Sequence, residues 1–158
     1  RVGNKAYYKN ITFSNNLTEY NIMDYEFWHG HYEPTKCQVI DYKLENNIMR
    51  YSGYGWSAKQ RPDFGGWAFC CRKADFVNSS GISIKNNIFD CSAREFVYWL
   101  FSENMPKPSI SGNTFYQRKN SMNEGMAYGK YLTANNQKTL ESAVNSFDSN
   151  PSLIKWID

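Results

Sequence analysis

The chain has 158 residues, the length of one domain, and 41% of them are apolar, which is enough to form a core. The formal net charge is only +3 and the basic residues are dispersed, so neither nucleic acid nor an anionic membrane is indicated as a partner. No apolar stretch approaches the roughly 18 residues of a membrane span. We therefore expect a single domain, residues 1–158, without membrane insertion.

A short phrase of alternating apolar and polar residues, closed by an asparagine corner, recurs four times. The copies lie at residues 11–17, 42–48, 81–90 and 109–115. Their second asparagines align as Asn16, Asn47, Asn87 and Asn113, at steps of 31, 40 and 26 residues. A strand-turn-strand unit repeated at irregular steps of this size is typical of a solenoid with insertions between its coils.

The phrase predicts which residues should stack on one another. Because strand side chains alternate between two faces, Phe13, Leu44, Ile84 and Ile110 should form one apolar column. Asparagine tolerates the left-handed backbone, and its amide can bond the asparagines above and below it. We expect a parallel ladder joining Ile84 to Leu44 and Ile110, with the asparagines stacked at one corner. Unrelated hairpins with Asn-rich turns are the alternative, although such turns favour Asn-Gly.

Two segments depart from the repeat. Residues 52–66 contain four glycines and a proline, and we expect an ordered irregular loop, a common place for function. Near the end, Leu140, Ala143, Val144 and Phe147 follow helical spacing. A solenoid needs its open strand edges covered, so we expect residues 139–158 to be a C-terminal cap.

The loop at residues 52–66 supplies the first candidate site. Arg61 could grip a carboxylate, and Asp63 could act as a general acid or base. The flanking aromatic and amide side chains are candidate substrate-binding residues: Tyr54, Trp56, Gln60 and Phe64. The alternative is that Arg61 and Asp63 pair with each other and hold the shape of the loop.

The second candidate site contains the two histidines of the chain. In an extended strand His29, His31 and Glu33 point to one side, which suits an acid/base role or a metal. We assign His29 and His31 to the catalytic candidates and assign no metal ligand. Structural histidines with hydrogen-bonded neighbours are the alternative. A third set, Arg94, Glu95 and Tyr98, is interpreted as a solvated face.

The four cysteines indicate no metal site. Cys37, Cys70, Cys71 and Cys91 show no Cys-x-x-Cys spacing, so a zinc knuckle is disfavoured. Adjacent Cys70 and Cys71 rarely suit a disulfide, and we expect buried free thiols, with a disulfide as the alternative.

The phrases at 84–89 and 110–115, together with the helical tail, resemble coils of right-handed parallel β-helix proteins of the pectate-lyase-like superfamily. The resemblance implies an all-β right-handed parallel β-helix solenoid with a short C-terminal helix and capping segment. Because members of the superfamily are usually longer, it also implies further coils N-terminal to residue 1 of the same chain. In the enzymes of this superfamily the sites lie in a groove on the outer face, which the loop and the histidine strand would flank.

The resemblance implies a secreted or cell-surface bacterial protein that acts on a polysaccharide or oligosaccharide. Members include polysaccharide lyases, glycoside hydrolases, epimerases and non-catalytic adhesins, so whether this chain is an enzyme stays open. We expect a hydrolase or lyase, with a non-catalytic carbohydrate-binding or adhesive module as the alternative. No complete catalytic signature is visible, so no catalytic residue is carried over from the superfamily. No cofactor is expected: calcium would suit an anionic sugar, but no Asp-rich ligand run supports it.

Overall fold

The protein is all-β in character, with parallel sheets and two short helices. The structure, a computed structural model, describes residues 6–27, 37–60, 65–71, 79–94, 96–99, 108–118 and 136–157. Its strands are β1 (Ala6–Ser14), β2 (Leu17–Glu19), β3 (Met23–Phe27), β4 (Cys37–Glu45), β5 (Ile48–Ser52), β6 (Trp67–Cys71), β7 (Ser83–Lys85), β8 (Ile88–Ser92), β9 (Val97–Trp99), β10 (Ser109–Ser111), β11 (Thr114–Arg118) and β12 (Leu153–Ile157). Its helices are α1 (Gly55–Gln60) and α2 (Gln137–Asn145).

The strands form three sheets that the chain visits in a fixed order. Sheet A has the strand order β1-β4-β7-β10, sheet B has β2-β5-β8-β11-β12, and sheet C has β3-β6-β9. All of these strand pairings are parallel. We call each passage through the sheets a layer: β1–β3, β4–β6, β7–β9, and β10–β11. Each layer therefore lies on the layer before it in the chain.

The predicted apolar column is present in the predicted register. Ile84 pairs with Leu44 on one side and with Ile110 on the other, and Phe13 pairs with Leu44. Leu44, Ile84 and Ile110 are buried in the core. Parallel pairing also shows that the alternative of separate hairpins is wrong.

The asparagine corner is also confirmed. Each asparagine donates its backbone N–H and its Nδ2 to Oδ1 of the asparagine in the next layer, from Asn16 to Asn47 at 3.0 Å for both bonds. The row continues through Asn87 to Asn113 with distances of 2.9 to 3.1 Å. It ends at Asp148, whose Oδ2 accepts from Asn113 Nδ2 at 2.8 Å. Burial of amides in this way requires such partners, and here they are supplied by the repeat itself.

A left-handed residue precedes each asparagine and makes the corner. Asn15, Asn46 and Asn86 have φ between 55° and 58°, and Gly112 has φ of 70°. Glycine is needed in the last position because a Cβ at Gly112 would lie 2.4 Å from Oδ1 of Asn86. The pair of asparagines in the sequence phrase thus has two roles, one conformational and one in hydrogen bonding.

The core is aromatic in its third and fourth layers. The rings of Phe89 and Phe115 stack with centroids 5.0 Å apart and planes inclined by only 4°. Phe96 and Phe147 pack against the Phe115 ring at 5.3 and 5.6 Å. Offset and edge contacts of this kind add to the stability gained from burial alone.

The C-terminal tail closes the stack, and its helical stripe is confirmed. Leu140 and Val144 of α2 are buried in the core. The side chain of Gln137 covers the edge of β12: its Nε2 donates to the carbonyl of Ile154 at 2.9 Å, and its Oε1 accepts the N–H of Trp156 at 2.6 Å. An edge strand satisfied in this way offers fewer groups for pairing with another strand.

Two sequence interpretations need correction. Part of the segment predicted as an irregular loop is helix α1, because residues 56–60 form a run without glycine or proline between Gly55 and Pro62. Arg94 is buried rather than solvated, since its guanidinium lies over the Trp67 ring at 4.6 Å. For Glu95 and for the side chain of Tyr98, the interpretation as a solvated face lies outside the described residues.

Cys70 and Cys91 are buried thiols that take part in no disulfide, as expected. The side chains of Cys37 and Cys71 lie outside the described residues. Neither helix of the described part of the chain is long and apolar enough to cross a membrane.

Candidate functional site

The predicted site residues divide into two groups. The four catalytic candidates and one aromatic candidate lie outside the described residues and stay predictions: His29, His31, Arg61, Asp63 and Phe64. The other three surround helix α1: Tyr54 immediately before it, and Trp56 and Gln60 within it. The structure therefore describes the predicted substrate-binding residues other than Phe64.

Helix α1 brings these residues to the side of sheet B. It begins at Gly55, where an added Cβ would lie 3.3 Å from Cδ1 of Tyr20, so the helix starts against that ring. Trp56 follows with 70% of its surface exposed. Gln60 is exposed at the end of the helix, whereas Tyr54 is half-buried and packs against Ala93.

Two tyrosines that the sequence analysis did not single out complete the aromatic surface. The Tyr20 and Tyr51 rings stack at 5.0 Å with an angle of 17° between their planes. Tyr54 meets Tyr51 edge-on at 6.0 Å. We call Tyr20, Tyr51, Tyr54 and Trp56 the aromatic surface. A sequence signal for the new pair exists, because Tyr20 and Tyr51 each follow their layer's corner asparagine by four residues.

The backbone explains why these two tyrosines stack. Tyr20 and Tyr51 have φ of 55° and 54°, and Cys91, at the same place in the third layer, has φ of 62°. A left-handed residue bends a strand, and the same bend in successive layers brings equivalent side chains into one row. Non-glycine residues in this conformation are uncommon and cost conformational energy, so their repetition marks a constrained part of sheet B.

A row of alternating charges runs beside the aromatic surface. Glu19, Arg50 and Asp90 occupy paired positions of β2, β5 and β8. Arg50 donates to Glu19 Oε1 at 3.0 Å and to Asp90 Oδ2 at 3.3 Å. A fourth charge, Arg118, lies 3.9 Å from the other oxygen of Asp90. The two carboxylates and the two guanidinium groups largely neutralise one another.

Cys91 occupies the third-layer position of the row that Tyr20 and Tyr51 begin. Its thiol is protonated. Burial raises its pKa to about 11, although Nε of Arg118 donates to its Sγ at 3.2 Å. A nucleophilic cysteine needs a thiolate near neutral pH. Cys91 is therefore a packing residue that anchors Arg118 beside the Tyr51 ring, 5.6 Å from the ring centroid.

A second polar group joins the first two layers. Asp24 accepts hydrogen bonds from Nδ2 of Asn21 at 3.0 Å and from Oγ of Ser52, which is fully buried. Burial raises the pKa of Asp24, and the hydrogen bonds from Ser52, Asn21 and Thr18 oppose that rise. Ser52 is buried and Asp24 is half-buried, so this group joins the first layer to the second beneath the surface strands.

No cluster of three or more metal-ligating side chains occurs among the residues that the structure describes. Comparison of the chain with protein-family models, with curated proteins and with solved structures gave no match.

Proposed function

We propose that the protein is a carbohydrate-binding module built on a right-handed parallel β-helix, in which each layer is one coil. Two findings support the architecture: the repeated order of sheets A, B and C, and the asparagine row at one corner. Under the same proposal, the module binds a polysaccharide or oligosaccharide at a secreted or cell-surface location. The resemblance to the pectate-lyase-like superfamily allows this function.

The observation that carries the proposal is the exposure of two rings on the aromatic surface. Trp56 is 70% exposed and Tyr20 is 51% exposed, and Gly55, the residue before Trp56, lies against the Tyr20 ring. Rigid amphipathic rings give a large contact area at a low cost in conformational entropy. Their apolar faces suit the C–H face of a sugar ring, while the indole N–H and the phenol can hydrogen-bond its hydroxyls.

Tyr51 and Tyr54 support this pair rather than contact the ligand. One face of the Tyr51 ring is occupied by Tyr20, and the guanidinium groups of Arg50 and Arg118 each lie 5.6 Å from its centroid. Tyr54 is wedged edge-on beside it. A ring held from several sides keeps Tyr20 in a fixed orientation, which lowers the entropy lost on binding.

Binding fits the described surface better than catalysis does. Glycoside hydrolysis commonly needs a pair of carboxyl groups free to act as acid and as nucleophile or base. Glu19 and Asp90 are instead engaged by Arg50. The hydrolase or lyase function is the second candidate, because Arg61 and Asp63 follow α1 within three residues in the sequence.

The test is affinity electrophoresis through gels that contain plant, algal or host polysaccharides. We expect the wild-type chain to be retarded by at least one glycan and Trp56→Ala and Tyr20→Ala to lose that retardation. Tyr7→Ala is the matched control, because Tyr7 is 64% exposed on β1, away from the aromatic surface. A wild-type chain that no glycan retards, or equal losses in all three variants, would contradict the proposal.

The same glycans separate binding from turnover. Incubation of each polysaccharide with the protein, followed by assay of reducing ends and of unsaturated-product absorbance, should give no product if the protein is a binding module. Release of reducing ends alone would establish a hydrolase, and new absorbance would establish a lyase. In either case His31→Ala and Arg61→Ala should abolish turnover without changing the melting temperature.

A further inference from the structure

An exposed apolar row crosses the outward face of sheet B. It takes one residue from each of the five strands, at paired positions: Leu17, Ile48, Ile88, Thr114 and Leu153. Leu17 is 55% exposed, Leu153 44% and Ile48 36%, and the other two are half-buried. Because side chains alternate along a strand, the row lies on the face opposite to the buried Met49 and Phe89. A contiguous apolar surface of this kind marks a site of interaction.

The chemistry of the row favours a protein partner. Its members are aliphatic, and such side chains gain most when they are buried against other apolar side chains, whereas sugars suit the flat faces of aromatic rings. The row is also distinct from the aromatic surface, because Glu19 and its row of charges lie between Leu17 and Tyr20 along the chain. The outward face of sheet B therefore offers a second surface with its own partner.

The row reads almost the same from either end of the sheet. From β2 to β12 its order is Leu-Ile-Ile-Thr-Leu, and in reverse it is Leu-Thr-Ile-Ile-Leu. A second copy, turned by a two-fold axis that runs along the central strand β8, would place Ile88 against Ile88 of the copy. Each Leu17 would then meet Leu153 of the copy at both ends. A two-fold interface requires this self-complementarity.

The neighbouring charged row fits the same arrangement. From β2 to β12 its paired positions are Glu19, Arg50, Asp90, Tyr116 and Lys155. The reversed copy brings Lys155 opposite Glu19 at both ends of the interface. Lys155 is exposed and makes no ion pair with the residues that the structure describes. Asp90 would face its own copy at the axis, but Arg50 and Arg118 flank it and offset its charge.

From the order of these two rows we infer that the outward face of sheet B is an interface between two copies of this chain. The copies face each other with β8 on the two-fold axis and with their layers in opposite order. Layers in the same order would instead bring Glu19 level with Glu19 and Lys155 level with Lys155, and these like charges repel. The inference does not depend on carbohydrate binding.

The size of the surface sets the expected strength of the dimer. Five strands span about 20 Å, and the two rows together cover about 10 Å along each strand. This is less than the roughly 800 Å² that each partner buries in a standard interface, so the dimer should be weak and reversible. We expect a dissociation constant in the micromolar range or above.

Sedimentation equilibrium of the intact chain, at concentrations up to about 1 mM, tests the dimer. We expect a reversible equilibrium between monomer and dimer. Ile88→Lys places two like charges together at the axis and should abolish the dimer. Tyr7→Lys, which also replaces an exposed apolar residue by lysine but lies on sheet A, should leave it unchanged. A chain that stays monomeric, or a dimer that Ile88→Lys leaves intact, would overturn the inference.

A charge exchange tests the orientation and does not depend on the Ile88 variant. Glu19→Lys and Lys155→Glu each turn both end contacts into like-charge pairs and should weaken the dimer about tenfold. An equimolar mixture of the two variants restores opposite charges at both ends and should dimerise about as tightly as the wild type. The mixture also controls for loss of the Glu19–Arg50 bond, because the same variant chain is present. Variants that dimerise like the wild type, or a mixture no tighter than its components, would overturn the inference.

Cross-linking locates the facing residues. A bifunctional maleimide that spans the ~10 Å between facing sheets should join Leu17→Cys to Leu153→Cys when the two variants are mixed. Leu17→Cys alone should give no more cross-linked dimer than the wild type, because the two copies of that residue would lie about 19 Å apart. Equal cross-linking of Leu17→Cys alone and of the mixture would overturn the opposed order of the layers and with it the inference.

Discussion

The two ends of the layered stack differ in how they treat the same kind of residue. In the third and fourth layers, inward-facing residues such as Phe89 and Phe115 are fully buried, and Gln137 of the tail bonds the outer edge of β12. In the first layer, Phe13 occupies the inward position of sheet A that Leu44 and Ile84 fill in the next two layers, and it is 42% exposed. The repeat phrase determines whether a residue points inward, but the layer in which that residue lies determines how much it stabilises the fold.

The difference in burial between the two ends should have its largest effect on stability when a core aromatic residue is replaced by alanine. Phe115→Ala removes a ring stacked on Phe89 and packed against Phe96 and Phe147, and should lower the free energy of unfolding by about 3–5 kcal/mol. Phe13→Ala should cost only about 1–2 kcal/mol, because its ring already contacts solvent. Urea unfolding of both variants measures the contrast. Equal losses would mean that the two ends are equally well packed.

The asparagine row should show a smaller difference in stability between the two ends of the stack, in the same direction. Asn87→Ala removes the acceptor of two bonds from Asn47 and the donor to the Leu44 carbonyl, all of them buried. Leaving such groups unpaired should cost about 1–3 kcal/mol. Asn16→Ala, at the exposed start of the row, should cost under about 1 kcal/mol, as surface substitutions usually do. A larger loss at Asn16 than at Asn87 would contradict the ladder as a source of stability.

The sequence predicts the parts of this fold that repeat. Spacing alone identifies Asn47, Asn87 and Asn113, and side-chain alternation gives the register of Ile84, because both follow from the geometry of one strand. The helical stripe around Leu140 is likewise visible from its period.

The parts that sequence reasoning missed depend on contacts between segments. The Tyr20–Tyr51 stack requires a left-handed bend at both positions, which tyrosine propensity does not favour. The sequence places Arg94 on a solvated face because the Trp67 ring, its partner, belongs to another layer and is distant in the chain. A composition rich in glycine hid helix α1, which is shorter than most helices that periodicity can detect.

The smallest expected effect is a pH dependence that arises in the first layer. Burial raises the pKa of Asp24 above its ordinary 3.8, so the folded protein holds the proton more tightly than the unfolded chain does. Stability from this group is complete below 3.8 and is lost as the pH rises through the raised pKa of the folded state. Asp24→Asn cannot ionise, and its amide can still accept from Asn21 and donate to Ser52. Urea titrations across this window should show stability falling with pH in the wild type more steeply than in the variant. Parallel curves would mean that Asp24 ionises as readily in the folded protein as in the unfolded chain, and hence that the first layer admits water to its interior.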